Sequence, residues 1–204
     1  MTKIFRYIFI ALLVVFLGYR SVYFRKLSDV KNQTGAGFNF NAFADSLYYK
    51  GILKSNKVTE LNTLWAFVQS NPGAAFKEHG NVLGIGNSAY FMVKSSGKIT
   101  EITESTIKIA TAAPVSITLD TKYIFGNALR DASGLVKLTD FKSTADFNKV
   151  SESLNHIVRE KVIPVAVQKL KKGDEIGFVG ALKLSKKHLA DTQLTIIPAQ
   201  ITLP

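Results

Sequence analysis

The chain has 204 residues, 47% of them apolar, and carries 26 basic against 15 acidic residues for a formal net charge of +11. It contains no cysteine, which excludes disulfides, CxxC redox chemistry and thiolate metal sites within this sequence. The apolar share is ample for a packed core, and no long low-complexity stretch argues for disorder.

The first twenty-six residues hold one unbroken apolar run, Tyr7 to Tyr19, between Arg6 and Arg20. At about 1.5 Å rise per residue this run makes only about 20 Å of helix, short of a hydrocarbon core about 30 Å thick. Counting Ile4 to Phe24, with both arginines snorkelling to the headgroups, gives about 31 Å, which just spans. The segment is therefore a short anchor or the apolar region of a signal peptide. Signal peptidase needs small residues at the −3 and −1 positions. The pairs at hand, Phe16/Gly18, Leu17/Tyr19 and Tyr19/Ser21, each put a bulky residue at −3. An uncleaved signal anchor over residues 1–25 is the preferred reading, ahead of a cleaved peptide. Lys3 and Arg6 precede the run while Arg20, Arg25 and Lys26 lie after it, so the positive-inside bias does not decide the orientation. A terminal signal-like segment normally exports the chain beyond it. The expectation is a single-pass protein of the cytoplasmic membrane, held through residues 4–24, with its C-terminal domain on the periplasmic or extracellular side.

Those five basic residues flank the run without an acidic neighbour, and the remaining 21 basic and 15 acidic residues leave a net +6. A moderate excess of this kind suits a soluble domain, or one lying beside anionic lipid. No RNP, helix-turn-helix or zinc pattern accompanies the charge, so nucleic acid is not expected as a partner.

After the anchor, Phe24 to Val30 suits an extended entry strand, and Gln33 to Gly37 a flexible break. From Phe38 to Gly80 the pattern is helical: Phe40, Phe43 and Leu47 recur at helical spacing, as do Leu61, Leu64, Trp65 and Val68. Thr59 is a fair N-cap for the second helix, Asn71-Pro72-Gly73 stops it, and a short third helix runs towards His79-Gly80. The expectation is a small helical subdomain over 38–80. Beyond Gly80 the character is β. Ala89 to Val93 and Lys98 to Thr103 read as strands joined by a turn at Ser95-Ser96-Gly97. Ser105 to Thr111, Val115 to Leu119 and Tyr123 to Phe125 add short strands at the spacing of a barrel or sandwich. A long helix over 144–163 comes next, with Phe147, Val150, Leu154, Ile157 and Val158 on one face. Ser143 and Asp146 resemble a capping box, and Pro164 marks its end or a kink. Glu175 to Leu184 and Gln193 to Leu203 return to β. In the last segment Leu194 and Ile196 hold one parity and Ile197, Ala199, Ile201 and Leu203 the other, which predicts a bulge or edge position at Pro198. The fold class expected is α+β: a small, OB-like, largely antiparallel β-barrel over 26–37 and 81–204, with the helical subdomain and one long helix.

The most distinctive internal stretch is Gly126-Asn127-Ala128-Leu129-Arg130-Asp131-Ala132-Ser133-Gly134. Arg130 offers a planar fork of donors suited to a carboxylate or phosphate, with Asp131 to orient it. The same two residues also suit a structural role, satisfying backbone groups or each other beneath the long helix, and that is the preferred alternative. His79, His156 and His188 lie far apart without metal-ligand spacing. Gly84-Ile85-Gly86 lacks the third glycine of a nucleotide loop, and no G-x-S-x-G, H-E-x-x-H or acid/base carboxylate pair occurs. Neither metal nor cofactor is expected. Lys161, Lys169, Lys171, Lys172, Lys183, Lys186 and Lys187 make the C-terminal third basic, first a solvated face and second a membrane-facing or acidic-ligand surface.

The GNALRDASG run, together with Phe141, Phe147, Val150, Leu154-Asn155 and Gly177-Phe178-Val179-Gly180-Ala181, resembles the bacterial domain of unknown function 2291, whose members are described as predicted periplasmic lipoproteins. Tyr90 to Lys94 with Gly97-Lys98 is similar to that family's F-x-V-K-x-x-G-x-V strand pair. Ala74 to Gly80 is similar to its A-A-x-x-x-G helix end. The resemblance covers roughly residues 26–204. It implies an OB-like barrel with a small helical domain, export and membrane attachment, and genes often found beside those of sugar ABC transporters; it implies no established activity. With no cysteine to acylate, the chain departs from the lipoprotein description.

Two functions are expected from these features. The first is a non-enzymatic, membrane-anchored accessory or binding module outside the cytoplasmic membrane, with a membrane-transport protein or a small polar ligand as partner. The second is an extracytoplasmic hydrolase or glycan-acting enzyme using Arg130, Asp131 and Asn155, which requires those side chains to converge on an open cleft.

Overall fold

The computed structural model describes residues 38–82 and 86–203. The anchor expected over 1–25, the entry strand over 24–30, the break at 33–37 and Gly84-Ile85 lie outside the described residues. Among the described residues no helix is long and apolar enough to cross a membrane. Asn39–Pro204 form one compact unit.

Six strands organise this unit: β1 (Thr59–Glu60), β2 (Ser88–Ile102), β3 (Thr106–Ala110), β4 (Ser116–Asp120), β5 (Glu175–Ser185) and β6 (Gln193–Thr202). They pair in the order β1-β2-β3-β4-β6-β5, and β2 also pairs with β5, so β2 to β6 form a closed circuit. The β2–β3, β2–β5, β3–β4 and β5–β6 pairings are antiparallel, while β1–β2 and β4–β6 are parallel.

β2 corrects the sequence reading. Ser95-Ser96-Gly97 is no turn; the chain runs through it as one fifteen-residue strand. Lys98 pairs with Glu175 of β5 on one side and Ala110 of β3 on the other, so β2 changes partner there. Gly97 sits at that corner because a Cβ would run into the carbonyl oxygen of Ala110 and come within 2.9 Å of Ile109. A glycine between two apolar runs marks a turn or a close backbone approach equally well. Only the pairing partners tell them apart.

Tyr123 to Phe125 is the second correction. The segment belongs to no strand; Ile124 is buried and its two neighbours are exposed. The alternation is real, but it comes from one side chain plugging the core. At the other end, the bulge expected near Pro198 is present: Val179 pairs with Gln200 and Gly180 with Pro198, leaving Ala199 as the extra residue. Leu194 and Ile196 join the core within the circuit and Ala199 the core beneath the helices. The bulge frees the Ala199 carbonyl, which accepts from the buried Tyr48 hydroxyl at 2.6 Å. Burial, with Tyr49 adding to it, pushes the Tyr48 phenol well above its usual range, so it remains a donor. Tyr48→Phe leaves that carbonyl unsatisfied and is expected to cost about 1–3 kcal/mol in urea unfolding.

The helices are α1 (Phe40–Ser46), α2 (Leu61–Ser70), α3 (Pro72–Glu78), α4 (Ala128–Ser133), α5 (Thr144–Ile157) and α6 (Ile163–Val167). Leu61, Leu64, Trp65 and Val68 of α2 are buried as their spacing predicts, with Ala75 and Phe76 of α3, in the core that includes Phe91 and Val93 of β2. Ala44 and the subsequent Leu47, Tyr48 and Ile52 instead join Val150, Leu154 and Ile157 of α5, and Val158 just beyond it, against Met92 and Ala181. The helices over 38–80 thus divide between two cores rather than packing as one group. Periodicity shows which face of a helix is apolar, not which surface receives it. Thr59 is not the cap of α2; it lies in β1, and Glu60 precedes the helix without a side-chain cap bond. Asn71 ends α2 and caps α3, accepting from Ala74 N–H at 3.1 Å. Ser143 caps α5, its hydroxyl oxygen accepting from Asp146 N–H at 3.1 Å. The helix then widens into a π-type turn over Val158–Val162 before α6, where Pro164 occupies the first turn. A proline has no N–H to give and crowds the carbonyl four residues back, and the wide turn relieves both.

Candidate functional site

The segment between β4 and α4 is shaped by its own polar residues. Asp120 ends β4 by accepting from the N–H groups of Lys122 and Tyr123, at 3.1 and 2.7 Å. Gly126 and Gly134 bracket α4, and both have positive φ, +74° and +60°. An L-residue is strained in that conformation, so the two glycines mark where the chain turns into the short helix and out of it.

Arg130 and Asp131 lie inside. The Arg130 side chain is 3% exposed and that of Asp131 1%. Arg130 Nε donates to Asp131 Oδ1 at 2.8 Å, and Nη2 stands 2.8 Å from the same oxygen. Arg130 Nη1 donates to the Phe147 carbonyl at 3.0 Å and to Asn148 Oδ1 at 3.3 Å. The guanidinium carbon lies over the Phe147 ring, 3.5 Å from its centroid, a cation–π contact in a desolvated place. Asn127 Nδ2 donates to Asp131 Oδ2. Burial pushes the Asp131 carboxyl above the usual carboxylate range, against the pull of the Arg130 hydrogen bond and charge. The pair cross-links α4 to α5; neither residue lines an open cleft, as the enzymatic reading requires.

Asn155 does line one. A groove of about 570 Å³ runs between Phe125, Gly126 and Asn127 on one side and Asn148, Ser151, Glu152, Asn155 and Arg159 of the long helix on the other. Residues 148, 151, 152, 155 and 159 fall on a single helical stripe, beside the apolar stripe that packs inward. Asn155 Nδ2 donates to the Gly126 carbonyl at 2.7 Å and ties the two walls together. Arg159 donates to the Ile124 carbonyl at 3.0 Å and to Glu160 at 3.2 Å, with its guanidinium 5.1 Å from the Phe125 centroid.

Ser151 stands apart from this bonded set. It is 5% exposed and its Oγ has no hydrogen-bond partner. A helical serine ordinarily back-bonds to the carbonyl four residues earlier. Here that carbonyl belongs to Phe147 and is taken by Arg130. The hydroxyl is left buried without a partner, a state that costs about 1–3 kcal/mol. Ser151→Ala is accordingly expected to hold or raise the unfolding midpoint in urea, whereas serine-to-alanine changes at a satisfied hydroxyl lower it.

Of the residues lining this groove, sequence reasoning singled out Asn155 but not Phe125, Asn148, Ser151, Glu152 or Arg159. The available signal was the asparagine and serine content of a helix interior, where both residue types are poor formers. Among the described residues no group of three or more His, Asp or Glu side chains is placed to hold a metal ion.

A family model described as "Predicted periplasmic lipoprotein (DUF2291)" matches residues 12–202. No curated protein matches. Among solved structures, the crystal structure of an OB-fold protein from Thermotoga maritima superposes with a TM-score of 0.70 at 25% sequence identity, covering 82% of this chain and 99% of that one. The chain is thus α+β with an OB-fold neighbour, and its family's description is a periplasmic one.

Proposed function

We propose that this chain, which belongs to the DUF2291 family of predicted periplasmic lipoproteins, is a non-enzymatic binding or accessory module held outside the cytoplasmic membrane. The observation that carries the reading is the groove beside α5, walled by the carboxamides of Asn127, Asn148 and Asn155, each locked in orientation by a hydrogen bond. A site of this sort is preformed for a small polar ligand. The Arg–Asp pair of the GNALRDASG run serves to join α4 to α5, which supports binding over catalysis. The closed circuit of β2 to β6 is read as the small barrel of an OB fold, carrying the groove on its helical side.

Membrane attachment is assigned to residues 4–24, because the sequence has no cysteine to take a lipid. A membrane-transport protein is the partner this reading favours. A second groove of about 440 Å³, lined by Tyr49, Lys161, Val165, Lys169 and Leu203 among others, offers such a partner exposed apolar side chains. Purification of the full chain from solubilised membranes tests the proposal. Recovery of a membrane-transport protein with the wild type supports it. A mature protein that begins after residue 20, or that floats free of membranes, overturns the tether.

A further inference from the structure

Resting on the groove beside α5 as the binding site, we infer that its ligand is a short peptide with both termini free, held by its ammonium, its carboxylate and the amides between them. The two charged side chains of the groove, Glu152 and Arg159, carry the argument. Glu152 is exposed, and among the described residues it has no ion-pair partner. Arg159 donates through Nη1 to the Ile124 carbonyl and through Nε to Glu160, which holds the guanidinium in place and leaves Nη2 without a protein partner. One wall of the groove therefore presents a carboxylate and, seven residues on, a fixed cationic donor. At about 1.5 Å rise per residue these two positions are about 10 Å apart along the helix. A simple anion would meet Arg159 but also be repelled by Glu152 and Glu160. A simple cation would be drawn to Glu152 but repelled by Arg159. A molecule that carries both charges, well separated, satisfies both ends. A single amino acid has its two charges on one carbon and does not reach. An extended peptide advances about 3.3–3.6 Å per residue, so three residues set the terminal charges about 10 Å apart.

The carboxamides of the groove suit the chain between those charges. Asn127 gives its nitrogen to Asp131 and keeps its oxygen. The Gly126 carbonyl is acceptor only, so Asn155 also gives its nitrogen and keeps its oxygen. Arg130 is donor only, so Asn148 presents its oxygen there and keeps its nitrogen. These partners fix all three amide orientations. Two acceptors and one donor remain, and a peptide backbone supplies N–H donors and C=O acceptors in alternation. Phe125, 63% exposed at the rim, offers a flat apolar face to a small side chain. A volume of about 570 Å³ lies within the roughly 300–1,000 Å³ of small-molecule sites.

The test is a titration of the full chain in detergent, monitored through the side-chain amide resonances of Asn127, Asn148 and Asn155. The probe is the tripeptide Ala-Ala-Ala, beside its N-acetylated and its C-amidated forms, with glycine, acetate and D-glucose for comparison. The free tripeptide is expected to shift the groove resonances in a saturable way. Each cap removes one terminal charge and should weaken binding about tenfold, the loss of about one charge-assisted hydrogen bond. Glu152→Gln, a change at an exposed side chain that leaves the fold intact, should weaken the free tripeptide about tenfold and make it bind no better than the acetylated form. Capped peptides that bind as tightly as the free one, or a Glu152→Gln variant that still distinguishes the free from the acetylated form, overturn the inference. Saturable shifts from acetate or D-glucose without any from the tripeptide overturn the ligand class and leave the groove as a binding site. If none of these probes shifts the resonances, the inference falls. Recovery of a transport protein in the purification above then decides separately whether the binding-module reading stands.

Discussion

Asp131→Ala is expected to destabilise the folded protein by about 3–5 kcal/mol, the cost of leaving a buried charge without its partner. Arg130 cannot shed its proton, and among the described residues Asp131 supplies the negative charge at its Nε and Nη2. The remaining bonds to the Phe147 carbonyl and Asn148 orient the guanidinium without neutralising it. Replacing both members, as Arg130→Met with Asp131→Ala, should recover part of the loss, because two charges then no longer need to be desolvated. Urea unfolding of the two variants measures the difference.

Gly97→Ala is the second large effect, with an expected loss of about 3 kcal/mol or more. The new methyl group meets backbone, the Ala110 carbonyl on β3, and backbone in a sheet cannot step aside as a side chain can. Relief requires β2 and β3 to part at the position where β2 passes from β5 to β3, which opens the strand circuit. Gly73→Ala is the matched control. It lies within α3, where a Cβ meets only the Asn71 Oδ1 atom at 3.7 Å, so the substitution should stabilise by about 0.4–1 kcal/mol through the unfolded chain. Equal and small effects at the two glycines would mean that the corner is not closed as described.

Much of the fold was legible because local rules agreed with the tertiary outcome. The inward stripes of α2 and α5, the Ser143 cap and the phase change at Pro198 are all consequences of period, capping chemistry and the pleat. The glycines around α4 were visible too, as brackets about Arg130 and Asp131. Where the reading departed from the structure, one local pattern had two solutions. Gly97 suited a turn as well as a strand corner, and Tyr123 to Phe125 suited a strand as well as a loop with one buried residue.

By itself the sequence determined the family, the α+β class, the lack of any thiol chemistry and the set of side chains that face inward. These depend on composition and on spacing along one element, quantities that survive unfolding. The tertiary structure decided what those side chains meet. It turned Arg130 and Asp131 from candidate ligands into a buried cross-link, because α5 brings the Phe147 carbonyl and ring to the guanidinium. By the same contact it took the usual partner of Ser151 away and left a buried hydroxyl unsatisfied, beside a groove whose two walls are some twenty-five residues apart in the chain. Hydrogen-bond competition of this kind exists only once distant segments are in contact, and periodicity along a single helix carries no record of it.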